Sequence, residues 1–162
     1  MKNLLRCLFL TVALAYCATR SIAQSIKVKG EVITPLTLTK EDLQKLPQLE
    51  ITAKDNKGNS RLFAGVAVAD VLKQAGVTLG GQLRGENLVK YVIAKASDGY
   101  EVLFALPELD PEFTDQVVLL AYLSDGKPLP AGEGNFRLVV PKDKKHARWI
   151  RELDTLEVRF AK

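Results

Sequence analysis

The alternation of apolar and polar positions divides the chain into short strands separated by a few brief helices. Ile26, Val28 and, past Gly30, Val32 alternate with polar neighbours, as a strand with one buried face does. A short helix follows. Thr39 is placed to cap it, Asp42 is the reciprocal partner three residues on, Leu43 and Leu46 form its inner face, and Pro47 stops it. Leu49 and Ile51 resume the alternation, and the turn-forming residues 55–59 make a hairpin loop before Leu62 and Phe63. Val68, Val71, Leu72 and Ala75 recur at helical spacing, which predicts a helix over 66–75 ended by Gly76.

Residues 79–86, with three glycines, read as a surface loop. Segments 89–96 and 101–106 flank Asp98-Gly99, a strong hairpin signal. Residues 107–113 allow one helical turn, 116–123 are apolar enough for a strand buried on both faces, and 136–140 form a further strand stopped by Pro141. Residues 146–151 suit another helical turn, and Leu156, Val158 and Phe160 point inward from a last strand. The sum is an α+β domain with a mixed sheet and about three short helices.

The first 23 residues stand apart. Lys2 and Arg6 precede an apolar run from Leu8 to Ala15 that only Thr11 interrupts, and Ser21-Ile22-Ala23 offers the small residues of a cleavage site. This predicts an export signal over 1–23, one mature domain over 24–162, and a periplasmic or secreted location. The run is shorter than the ~20 residues of a bilayer span, and no later segment reaches that length uncharged, so a soluble mature chain without a transmembrane span is expected. Cys17 follows a faint lipobox, but bulky Tyr16 stands where a small residue belongs, which argues against lipidation.

Processing changes the charge argument. Of 23 basic residues, Lys2, Arg6 and Arg20 leave with the signal, so 20 face 19 acids and no electrostatic case for nucleic acid survives. Both cysteines, Cys7 and Cys17, also leave, which removes disulfides, thiolate metal sites and thiol nucleophiles from the mature chain. His146 is the only histidine, so a multi-histidine metal site cannot form. Its lysine-rich flank predicts an exposed residue, and no Gly-x-Ser-x-Gly accompanies it. Neither glycine fingerprint for phosphates is present, and Glu108, Asp110 and Glu112 are read as caps of a short helix rather than a glycosidase pair. No catalytic residue and no metal ligand is therefore assigned. The richest cluster is Arg137, His146, Arg148, Trp149 and Arg151 with Tyr100, whose guanidinium forks and aromatic faces suit oxyanions or flat heterocycles.

The ordered motifs carry a resemblance. Pro35 to Thr39 followed by Glu41-Asp42-Leu43 and Leu46-Pro47, then Phe63-Ala64-Gly65-Val66 leading into Ala69-Asp70-Val71-Leu72, resemble the sulfite-oxidase-type molybdopterin-binding domain. Ser97-Asp98-Gly99-Tyr100, Leu120-Ala121-Tyr122, Asp125-Gly126-Lys127-Pro128 and Phe136 to Pro141, with Ala147-Arg148-Trp149-Ile150, look like its later blocks. The likeness implies that fold, a molybdopterin cofactor and oxidoreductase activity. By the same likeness Tyr100, Arg137, His146, Arg148 and Trp149 are the cofactor-binding candidates, and the family's metal-ligating cysteine falls near Ala53, whose methyl coordinates nothing. Ala53 is expected at the rim of a cleft facing Arg148. The resemblance also implies twin-arginine export of a loaded enzyme, whereas Arg6 stands beside Cys7 and the signal is of the Sec type.

The reading reached is a non-catalytic, extracytoplasmic small-ligand-binding or accessory module without cofactor, taking a small anionic or heterocyclic ligand or a partner envelope protein. Two alternatives stand beside it. One is a molybdopterin-dependent oxidoreductase with non-cysteine ligation, and the other is a structural interaction domain of an envelope complex.

Overall fold

The computed structural model describes residues 25–161, so the expected export signal and the faint lipobox before Cys17 lie outside the described residues. Among the described residues, ten strands form two five-stranded sheets rather than one. In the first, the order is β2 (Leu36–Leu38), β1 (Ile26–Gly30), β10 (Leu153–Phe160), β5 (Lys90–Ala96) and β6 (Glu101–Ala105). Its β1–β10 pair is parallel, with Val28 opposite Leu156, and the other pairs are antiparallel. The second sheet runs β3 (Gln48–Lys54), β4 (Ser60–Ala67), β7 (Leu119–Ser124), β8 (Lys127–Pro128), with β9 (Arg137–Val139) also on β7, and is wholly antiparallel.

Ile26, Val28, Val92, Phe104 and Leu156 from the first sheet join Phe63, Val66, Leu119, Leu120 and Leu138 from the second in one buried cluster. β7 is buried along nearly its whole length, as an apolar strand covered on both faces must be. Two backbone bonds tie the sheets where the site forms: Leu138 N–H donates to Ile150 O at 2.9 Å, and Leu153 N–H to Phe136 O at 2.9 Å.

α1 (Lys40–Leu43) carries the expected capping box. Thr39 Oγ1 accepts from the Asp42 amide at 3.3 Å, and the Asp42 carboxylate accepts from the Thr39 amide at 3.1 Å. Thr39→Ala is expected to cost about 1 kcal/mol in urea unfolding. The Asp42 carboxyl is held down at about 2 by the hydrogen bond from Lys45 and those from Thr39. Its folded value lies below the unfolded one, so the stabilisation is complete above about pH 4 and is lost as pH falls towards 2. Asp42→Asn should flatten the acid limb of a stability–pH curve over that window; an unchanged limb would place the acid sensitivity elsewhere.

Three local expectations shift. α2 spans Val68–Gln74, because Val66 and Ala67 pair with Leu120 and Leu119 and extend β4 instead. Strand pairing outweighs a helical periodicity that a β-branched residue supports only weakly. Residues 79–86 are not a bare loop: 3-10 turns at Gly80–Gln82 and Gly85–Val89 hold Leu83 in the core. Phe160 is only half-buried, with Lys90 Nζ over its ring at 5.9 Å. The acids of 108–112 do cap turns. Glu108 accepts from the Ala105 amide at 2.9 Å, and buried Asp110 accepts from the amides of Gly80 at 2.6 Å and Glu112 at 2.9 Å.

Candidate functional site

Alternation on β4 places Arg61 and Phe63 on one face, and antiparallel pairing sets Ala53 opposite Arg61 and Ile51 opposite Phe63 on β3. Arg137, at the start of β9, comes in beside them. Its guanidinium carbon lies 5.3 Å from the Phe63 ring centre and 5.7 Å from that of Trp149, while Arg61 stacks on Phe63 at 4.8 Å. Trp149 is buried, meets Phe63 edge-on at 6.0 Å and donates from Nε1 to Val140 O at 2.9 Å.

Glu133 joins the two guanidiniums. Its Oε1 accepts from Arg61 Nη1 at 2.8 Å and its Oε2 from Arg137 Nη1 at 2.5 Å, while Arg61 Nε donates to Ser124 Oγ at 3.0 Å. Burial pushes the Glu133 carboxyl up, but the bonds from Arg61 and Arg137 outweigh it and hold the group below the usual carboxylate range. Burial lowers Arg137 in turn, with Glu133 opposing that shift. Arg137 Nε is buried without a hydrogen-bond partner. Arg61, Phe63, Glu133, Arg137 and Trp149 line a cleft of about 70 Å³ together with Asp55, Asn56, His146 and Arg151.

A larger cleft of about 340 Å³ adjoins it and is lined by Asp98, Tyr100, His146, Trp149, Arg151 and Glu152. The β5–β6 hairpin supplies Tyr100, whose Oη donates to Ala147 O at 2.9 Å and so ties the hairpin to the turn at His146–Arg148. His146 is half-buried rather than exposed. Its ring meets Trp149 edge-on at 4.3 Å, and its Nε2 donates to Lys54 O at 2.9 Å.

Four of the five expected residues therefore converge: Tyr100, His146 and Trp149 on the larger cleft, and Arg137 with His146 and Trp149 on the smaller. Arg148 does not. It lines neither cleft, takes Asp143 through Nε and Nη2, each at 2.8 Å, reaches Glu108 at 3.2 Å and stacks on Phe104 at 4.7 Å. The hydrogen bonds it donates to Asp143 are the main reason that its proton is held more tightly than in a free arginine. The cause is the 3-10 turn, in which residues three apart eclipse, so His146 and Trp149 share a face and Arg148 points away.

Ala53 does not stand at a cleft rim facing Arg148: it is buried, lines neither cleft and pairs opposite Arg61 on β4. Arg61 and Glu133 were not anticipated. The period-two spacing of Arg61 and Phe63 opposite Ala53 could have exposed the first, whereas Glu133 sits in a turn-rich stretch with no periodic signal.

A family model for the oxidoreductase molybdopterin binding domain matches residues 18–161. The chain belongs to this family. Among solved structures, the sulfane dehydrogenase SoxCD from Paracoccus pantotrophus is similar in fold, with a TM-score of 0.65 at 22% identity over 83% of this chain. The chain matches only 37% of that enzyme's chain. No curated protein sequence matches it. The sulfite-oxidase-type fold expected from the motifs is thus the fold observed, with one mixed and one antiparallel sheet and, among the described residues, two helices beside the 3-10 turns.

Molybdopterin centres of the thiolate-ligated kind do not fit the residues present. Ala53 offers a methyl group where the resemblance places the ligand, and among the described residues no three His, Cys, Asp or Glu side chains gather as a metal site. The two carboxylates of the smaller cleft are committed: Glu133 to the arginines, and Asp55 to the amides of Lys57 at 2.8 Å and Asn59 at 2.9 Å.

Proposed function

We propose that the chain is a non-catalytic, small-ligand-binding module on the molybdopterin-binding fold, acting outside the cytoplasm. One observation carries the reading: the roughly 340 Å³ cleft gathers Tyr100, His146 and Arg151, while the position matched to the metal ligand is Ala53. That volume lies in the range of small-molecule sites. The chemistry suits a flat heterocycle with an anionic substituent. Its ring would lie against Tyr100 and His146, its anion would take Arg151, and Asp98 and Glu152 would accept from ring or amino N–H groups. The export signal read over 1–23 supports the location. Among the described residues, no helix is long and apolar enough to cross a membrane.

The test is elemental analysis for molybdenum, with pterin fluorescence after oxidation, on protein purified from the envelope of its host. Metal and pterin far below stoichiometry are expected. Near-stoichiometric molybdenum would replace this reading with an oxidoreductase whose metal is held by another ligand. A thermal-shift screen of anionic heterocycles should then yield a binder that Arg151→Ala weakens about tenfold, the loss of one charge-assisted bond. Unchanged affinity in that variant would move the ligand out of the cleft.

A further inference from the structure

We propose that Arg61 and Arg137 form a binding site for a small carboxylate, which Glu133 fills as an intramolecular stand-in. This site adjoins the larger cleft and does not depend on what that cleft binds. The first argument is geometric. Two guanidiniums held against Phe63 converge on one carboxylate from separate strands, Arg61 reaching both oxygens through Nη1 at 2.8 Å and Nη2 at 3.4 Å and Arg137 bonding Oε2, which is the arrangement that an external carboxylate would meet.

The second argument is a donor left over. Arg137 is 6% exposed, yet its Nε has no partner while Nη1 serves Glu133, so the internal carboxylate does not complete the hydrogen bonding of this buried cation. An anion free to choose its approach can take Nε as well, whereas Glu133 is limited by its tether. The third argument is charge and room. The adjacent space of about 70 Å³ admits a group of a few heavy atoms, and Arg151 adds a third cation to its lining. Of the two acids there, Asp55 is occupied by its own loop amides.

Glu133 can leave without unfolding its loop. The backbone is pinned, with the Glu133 amide donating to Pro130 O at 3.0 Å and the Glu152 amide to Glu133 O at 2.9 Å. A Cβ at Gly134 would lie 2.6 Å from Glu152 Cα, so the loop is packed closely there. Vacating the arginines therefore requires only rotation of the Glu133 side chain.

The experiment removes the stand-in and supplies a substitute. Glu133→Ala is melted in sodium formate and in sodium chloride at equal ionic strength. It should melt below the wild type in chloride and recover at least half of that loss in formate, while the wild type shifts little. Equal melting temperatures in the two salts would overturn the proposal. If Glu133→Ala yields no folded protein, the neutral isostere Glu133→Gln takes its place. Calorimetry should then show formate binding about tenfold tighter than in the wild type. Adding Arg137→Lys should abolish that gain by removing the fork. Equal affinities for wild type and Glu133→Gln, or a gain that survives Arg137→Lys, would refute the site.

Discussion

Gly65→Ala is expected to cost more than about 4 kcal/mol, among the largest effects of a single substitution. A Cβ at this position would lie 2.0 Å from Leu120 O and 2.8 Å from Ala121 Cα, both backbone atoms of the neighbouring strand. A flexible side chain could move aside, but here β4 must part from β7. The register already shifts between Ala64 and Gly65, so the strands approach closely at an irregularity that only a residue without a side chain permits. β7 also carries β8 and β9, so the damage spreads to the strand that presents Arg137. Urea unfolding followed by circular dichroism would measure the loss. A cost under about 1 kcal/mol would mean that the strands part easily and that the close approach has little energetic weight.

Trp149→Ala should cost about 3–5 kcal/mol, the range for truncating a buried aromatic. Its ring is 5% exposed, packs edge-on against Phe63 and His146, and lies beneath the Arg137 guanidinium. Truncation opens a cavity between β4 and the 146–152 segment and leaves Val140 O without its donor. Trp149→Phe keeps most of the packing and loses the bond, so its cost should fall to about 1–3 kcal/mol. Because Trp149 is the only tryptophan, the variants must be followed by circular dichroism rather than indole fluorescence. Equal losses for the two substitutions would show that the hydrogen bond, not the packed ring, holds this corner together.

Much of the local structure was legible because neighbouring residues decide it. The Thr39–Asp42 box involves two side chains three residues apart, and the hairpin at Asp98-Gly99 needs only the turn and its flanks. The motif order that resembles the sulfite-oxidase type also spans the region matched by the family model, residues 18–161. Of the candidate residues named from residue type and the family likeness, Tyr100, Arg137, His146 and Trp149 meet at the two clefts, whereas the 3-10 turn directs Arg148 to Asp143 and Glu108, a direction that no local sequence signal records.

By itself, the sequence determined the α+β class, the capped helix, the hairpins, the absence of cysteine after residue 17 and the chemistry available to the site. Tertiary structure decided how those pieces meet. It divided the strands between two sheets, paired β1 with β10 in parallel across most of the chain, drew Val66 into β4, and brought Glu133 from an unpatterned turn to Arg61 and Arg137. Local periodicity records which face of an element is apolar, and long-range pairing decides which charges finally confront one another.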